Sequence, residues 1–249
     1  MNKCRRLCSA VLVVGVVFSS HAEQPVEDAF VGFKRNGVDT ECTVPRLGDF
    51  PSYGDTMIGA DGGPKLSDEE AETVYQCIQR DLAEAYVKSG IPATQEYLEW
   101  TRFSMMPYRS KGHEYRYLNN YANEIAADFY GQYGDKVPMP VGSILAKDSF
   151  VSNKGGRIVL GALTLMEKMP TGFNPQVGDW KFTMILPDGR VMGTSGGDDE
   201  IAVEFCVKCH IKAKKANDYL FFMPKKYRVG GKSSTADDGG YNYNYDSSK

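Results

Sequence analysis

The chain has 249 residues, enough for one substantial core and a small second unit. A hydrophobic content of 42% and a charged content of 24% belong to an ordinary globular protein, and a net charge of −3 excludes a broad basic surface for nucleic acid. The lysines clustered at 208, 212, 214 and 215 are a local feature of the C-terminal part.

The first 22 residues, "MNKCRRLCSAVLVVGVVFSSHA", read as a secretory signal peptide. Lys3, Arg5 and Arg6 give it a basic start, Ala10 to Phe18 an apolar run, and Ser20 and Ala22 the small residues of a cleavage site. The apolar run is too short to span a bilayer, and no other stretch is long and apolar enough. The mature protein is expected to be soluble and periplasmic or otherwise exported. Cys42, Cys77, Cys206 and Cys209 then remain, and an oxidising compartment should commit them. Cys42 and Cys77 read as a disulfide pair.

Residues 23–94 read as an irregular segment, rich in Gly, Pro and Asp up to 66, followed by one helix. In "SDEEAETVYQCIQRDLAEAYVKSGIP", Ser67 and Glu70 form a capping box, Gly90 is the stop and Pro92 follows. Ala71, Val74, Ile78, Leu82, Ala85 and Tyr86 form its apolar face. The spacing predicts a second helix over about His113 to Tyr133, with Leu118, Tyr121, Ala122, Ile125, Ala126 and Phe129 on one side. His113 would then sit at a helix start, as a surface or capping residue rather than a metal ligand.

After Gly134 the period changes to alternation. "GSILAKDSFV" and "GRIVLGALTLMEKM" each read as a strand, and "DWKFTMIL-PDG-RVMG" as a hairpin with Trp180, Phe182 and Met184 on one face. Lys147 shares a strand face with Leu145, Ser149 and Val151, so that face reads as the buried one and Asp148 should point to the other. Glu167 ends an apolar strand and is a weak candidate for a pocket proton carrier. Met166, Met169 and Met184 read as core filler rather than metal ligands.

The chemistry concentrates in "EFCVKCH". Two thiols on one helical turn can form thioethers to the two vinyl groups of a haem, and the adjacent His210 offers an axial imidazole. A thioredoxin-type pair needs a βαβ context, and a zinc site needs two further ligands; the sequence shows neither. Residues 231–249 read as a disordered tail, and Met223 is the only methionine after His210. The other face of the haem must therefore come from residues upstream. Helices, then an antiparallel sheet, then a haem-attachment helix near the C-terminus make an α+β fold over residues 95–230.

Four stretches in this order resemble the cytochrome P-460 family and its relative cytochrome c′-β: "YRYLNNYANEIA", "MPVGSILAKDSF", "GDWKFTMILPDG" and "FCVKCHIKAKKANDYLFF". The resemblance covers about residues 97–230. It implies a mainly antiparallel β-fold around one five-coordinate haem c per chain, often in a homodimer. It also implies chemistry on small nitrogen compounds: hydroxylamine oxidation in one type, nitric oxide binding without turnover in the other. In the oxidising type a lysine is joined covalently to the porphyrin, and by motif matching it falls on Lys147. Asp148 departs from the glutamate that members often carry at the next position. The partner of an oxidising enzyme would be a soluble redox protein such as a cytochrome c, docking near the lysines around the attachment helix. An enzyme acting on hydroxylamine and a non-enzymatic gas binder or electron carrier both stay open.

Overall fold

The structure, a computed structural model, describes residues 65–134, 138–152, 158–213 and 215–230. The expectations for the signal peptide, Cys42, Lys214 and the tail lie outside these residues.

Helix α1 spans Asp68–Val87. Ser67 Oγ accepts from the Glu70 amide at 3.1 Å, and the Glu70 carboxylate accepts from the Ser67 amide at 2.7 Å. The predicted capping box is therefore formed, and Asp68, Glu69 and Glu70 place negative charge at the positive end of the helix dipole. Ala71, Val74, Tyr75, Ile78, Leu82, Ala85 and Tyr86 are all buried. Cys77 packs partly buried against the core beneath this helix, and its expected disulfide partner Cys42 is outside the described residues.

A short helix, α2 (Ala93–Glu96), leads into an eight-stranded antiparallel sheet. Its strands are β1 (Thr101–Arg102), β2 (Tyr108–Ser110), β3 (Arg116–Ala122), β4 (Ile144–Ser152), β5 (Ile158–Leu160), β6 (Leu163–Lys168), β7 (Trp180–Ile185) and β8 (Val191–Thr194). The order is β1-β3-β4-β6-β7-β8, with β2 also pairing β3 and β5 also pairing β4. Two further helices, α3 (Glu124–Tyr130) and α4 (Glu204–His210), complete the fold. The α+β architecture and the β7–β8 hairpin agree with the sequence expectation.

The helix expected over His113 to Tyr133 does not form as such. Lys111–His113 is a single 3₁₀ turn, ended by Glu114 and Tyr115 in the left-handed region with φ of 55° and 60°. Residues 116–122 then extend and pair with β4. The period misled because every residue of β3 is buried, so apolar side chains on both faces fit a helical spacing as easily as a strand. The helix begins only after Asn123, whose Oδ1 accepts from the Ala126 amide at 3.1 Å.

The expected strand "GRIVLGALTLMEKM" also divides in two. β5 pairs with Phe150–Ser152 of β4 and β6 with Ile144–Lys147. Gly161 lies at the step, where a Cβ would come within 2.1 Å of Ser149 Oγ.

The sheet separates two cores. One face carries Tyr117, Tyr121, Ala146, Phe150, Leu163, Leu165 and Ile185, packed against α1. The other carries Leu118, Ala122, Leu145, Met166, Trp180 and Phe182, packed against Tyr130, Leu220, Phe222 and Met223. Met166 is buried in this packing and Met184 in a smaller cluster with Ala162 and Val203, as expected, whereas Met169 is only half-buried. Helix α4 lies over this second face, where Cys206 and Val207 pack against the core.

Candidate functional site

Helix α4 puts Cys206 and Cys209 one turn apart, both half-buried and both free thiols. Burial, with Cys209 adding to it, pushes the Cys206 thiol up to about 12, so it stays protonated. His210 is buried between the rings of Phe182 and Phe221, at 5.1 and 5.3 Å. Burial, reinforced by the nearby Lys147 charge, lowers it to about 3. The imidazole is therefore neutral. Its Nδ1 lies 2.9 Å from the Tyr219 carbonyl oxygen, which can only accept, so the proton sits on Nδ1. Nε2 keeps its lone pair and is the atom available to a metal.

Lys147 lies in the middle of β4, between Asn120 of β3 and Thr164 of β6. It is buried, as the alternation predicted, on the face toward α4. Burial lowers the ammonium to about 8, against the opposing effect of Cys209 and Cys206. Strand β4 and helix α4 are more than fifty residues apart in sequence, yet Lys147 is within electrostatic reach of both thiols and of His210.

His113 belongs to the same place, which corrects the expectation of a capping residue. No helix follows it, and its Nδ1 lies 3.2 Å from Ser110 Oγ. Its pKa is held well below the ordinary value by burial and then by the charges of Lys147, His210 and Arg116. The side chain is half-buried. The wrong element assignment over residues 113–122 hid it.

Glu167 does not belong there. Its register with Lys181 puts it on the α1 face of the sheet, a third exposed and ion-paired to Lys181. Alternation along β6 explains this: Thr164, Met166 and Lys168 take the α4 face, and Leu163, Leu165 and Glu167 the other.

Asp148 points away from Lys147, as expected, into a polar cluster beneath α1. Tyr75 donates to its Oδ2 at 2.6 Å, Tyr97 to the same oxygen at 3.3 Å, and Asn119 Nδ2 to Oδ1 at 3.0 Å. Tyr75 also meets the Tyr121 hydroxyl, and Arg102 bridges Asn119 to Glu72. Burial raises Asp148 from 3.8 to about 6, against the lowering effect of these donors. Folding therefore favours its protonated form. That contribution is complete below 3.8 and is lost as the pH rises through about 6. Wild type should lose about 3 kcal/mol relative to Asp148→Asn between these limits. Urea unfolding of both proteins across the pH range checks this, and parallel stability curves would refute it.

The donor set fits a haem. It comprises two thiols on one turn, a neutral histidine with a fixed tautomer, and a facing sheet with apolar Leu145, Met166 and Phe182. Among the described residues no cluster of acidic, His and Cys groups could hold a bare metal ion. Also among them, no helix is long and apolar enough to cross a membrane. No curated protein matches the chain. The family model described as cytochrome P460 matches residues 94–222, which run from α2 through the whole sheet and α4 to Phe222. With more than half of its length matched to that model, the chain belongs to the cytochrome P460 family and is a haem-binding protein.

Proposed function

We propose that this protein is an exported cytochrome with one covalent haem c, which oxidises hydroxylamine or a related small nitrogen compound and passes electrons to a soluble carrier. Cys206 and Cys209 would hold the ring by thioethers, and His210 Nε2 would bind its iron. Bound there, the haem supplies the centre that takes electrons from the substrate. The observation that carries the reading is Lys147: a buried amine beside both attachment thiols, with its pKa brought to about 8.

The chain's own residues set the conditions. Leu145, Met166 and Phe182 keep water from the sheet side. Asn120 beside Lys147 is locked, with Tyr108 donating to its Oδ1 at 2.9 Å and its Nδ2 donating to Tyr130 at 2.7 Å. At neutral pH a fraction of Lys147 is unprotonated, and a neutral amine is a nucleophile that would bond a ring carbon once a two-electron oxidant takes up the electrons released as the ring hydrogen and an amine proton leave. The resemblance implies that this bond separates oxidising members from gas binders.

One observation favours the second reading, nitric oxide binding without turnover. Glu167, the candidate proton carrier, lies on the far face of the sheet. Tryptic mapping together with a hydroxylamine turnover assay distinguishes the two. A haem peptide that carries residues 206–210 joined to the Lys147 peptide, with turnover, supports the oxidase. An unlinked haem peptide with nitric oxide binding and no turnover supports the gas binder.

A further inference from the structure

The loop after α4 supports His210 in an unusual way. Asp218 and Tyr219 both have left-handed backbones, with φ of 52° and 59°. Neither is glycine, and two consecutive left-handed residues are unfavourable unless their surroundings hold them. Their surroundings do. Lys168 Nζ donates to both Asp218 carboxylate oxygens at 2.7 Å, and the Met139 amide donates to Oδ2 at 2.9 Å. Trp180 Nε1 donates to the Asp218 carbonyl at 2.8 Å. The Lys168 ammonium in turn lies 5.1 Å over the Trp180 ring. Lys168 and Asp218 are both buried. On the remaining side is Gly178, where a Cβ would come within 2.8 Å of Asp218 Oδ1 and 2.9 Å of the Tyr219 ring.

A buried, charge-assisted clamp of this kind costs desolvation, and an apolar pair would often be as stable. What it does here is geometric. Asp218 is fixed through its carboxylate from β6 and through its carbonyl from β7. The next carbonyl along the chain, that of Tyr219, is the acceptor for His210 Nδ1. The strength of that hydrogen bond sets how much electron density Nε2 offers a metal.

We propose that Lys168, Asp218 and Trp180 form a clamp that positions the Tyr219 carbonyl against His210 and so tunes the bond between His210 and the haem iron. These are positioning residues acting through His210, and the inference rests on the haem reading above. Without the clamp the 218–219 turn relaxes, the Nδ1 bond lengthens, and the imidazole becomes a weaker donor to iron.

The test compares wild type with Asp218→Asn, with the neutral pair Lys168→Gln/Asp218→Asn, and with Gly178→Ala. The last crowds the turn without removing a charge, and it and the neutral pair cover the case in which Asp218→Asn alone, leaving a buried lysine unpaired, does not fold. Resonance Raman of the ferrous protein reads the iron–histidine stretch, and its nitric oxide adduct reads how much His210 stays bound. The expected result is a lower stretching frequency and more His210 release in every variant that folds, with thioether attachment unchanged. An unchanged frequency and unchanged His210 retention in folded, haem-loaded variants would overturn the proposal. If wild type holds no haem, the haem reading itself fails, and the His210 tautomer, read by ¹⁵N NMR on the same chains, decides the clamp. Loss of the Nδ1–H form in the variants supports it, and retention refutes it.

Discussion

In a Lys147→Leu background, which removes the third possible attachment, replacing both cysteines, Cys206→Ser and Cys209→Ser, should abolish covalent haem: none should remain with the chain after acid–acetone extraction. The two thiols lie one helical turn apart, half-buried against the sheet face that carries Lys147. Serine keeps the size and polarity of that face but forms no thioether. Each single replacement should leave one thioether and a haem that still resists extraction. His210→Ala should keep both thioethers while losing the axial imidazole, since nothing in the attachment chemistry involves His210. The spectra of the three kinds of variant therefore differ in kind. Haem that stays with the chain lacking both cysteines and Lys147, from a host with cytochrome c assembly machinery, would refute the assignment of the motif.

The second large effect is expected at Lys147→Leu. Leucine matches the apolar face around Leu145 and Met166 and removes a buried cation, so the fold should tolerate it. If the lysine is bonded to the ring, the variant loses a broad, red-shifted Soret band and shows an ordinary c-type spectrum. Hydroxylamine turnover should disappear with it, while nitric oxide binding persists. A variant with the wild-type spectrum and wild-type turnover would remove Lys147 from the mechanism. Lys147→Arg separates charge from nucleophilicity: it keeps a cation that burial cannot neutralise, and it should behave like the leucine variant.

These expectations draw on two kinds of information. The short helix that carries two thiols and an imidazole was legible in the chain because the grouping is local, all three lying within five residues. So were the capping box at Ser67, the β7–β8 hairpin and the burial of Lys147, each resting on spacing that a helix or strand enforces by itself. Strand β3 was not legible. Buried on both faces, it shows no alternation, and pairing with β4 overrides the helical spacing of its apolar residues. The error moved His113 off the site.

Glu167 fails for a related reason. Its place at the end of an apolar strand said nothing about which face it takes, and register with Lys181 decided that. The Lys168–Asp218 pair joins residues fifty positions apart, and Tyr75 reaches Asp148 from a helix that precedes the matched family region. No local pattern announces such contacts, because each partner alone reads as an ordinary surface charge or core aromatic. The sequence by itself determined which atoms could hold the haem and which helix carries them. Tertiary structure decided what surrounds them, because only the packing of α4 and its following loop against one face of the sheet brings Lys147, His113 and the Tyr219 carbonyl to the same place.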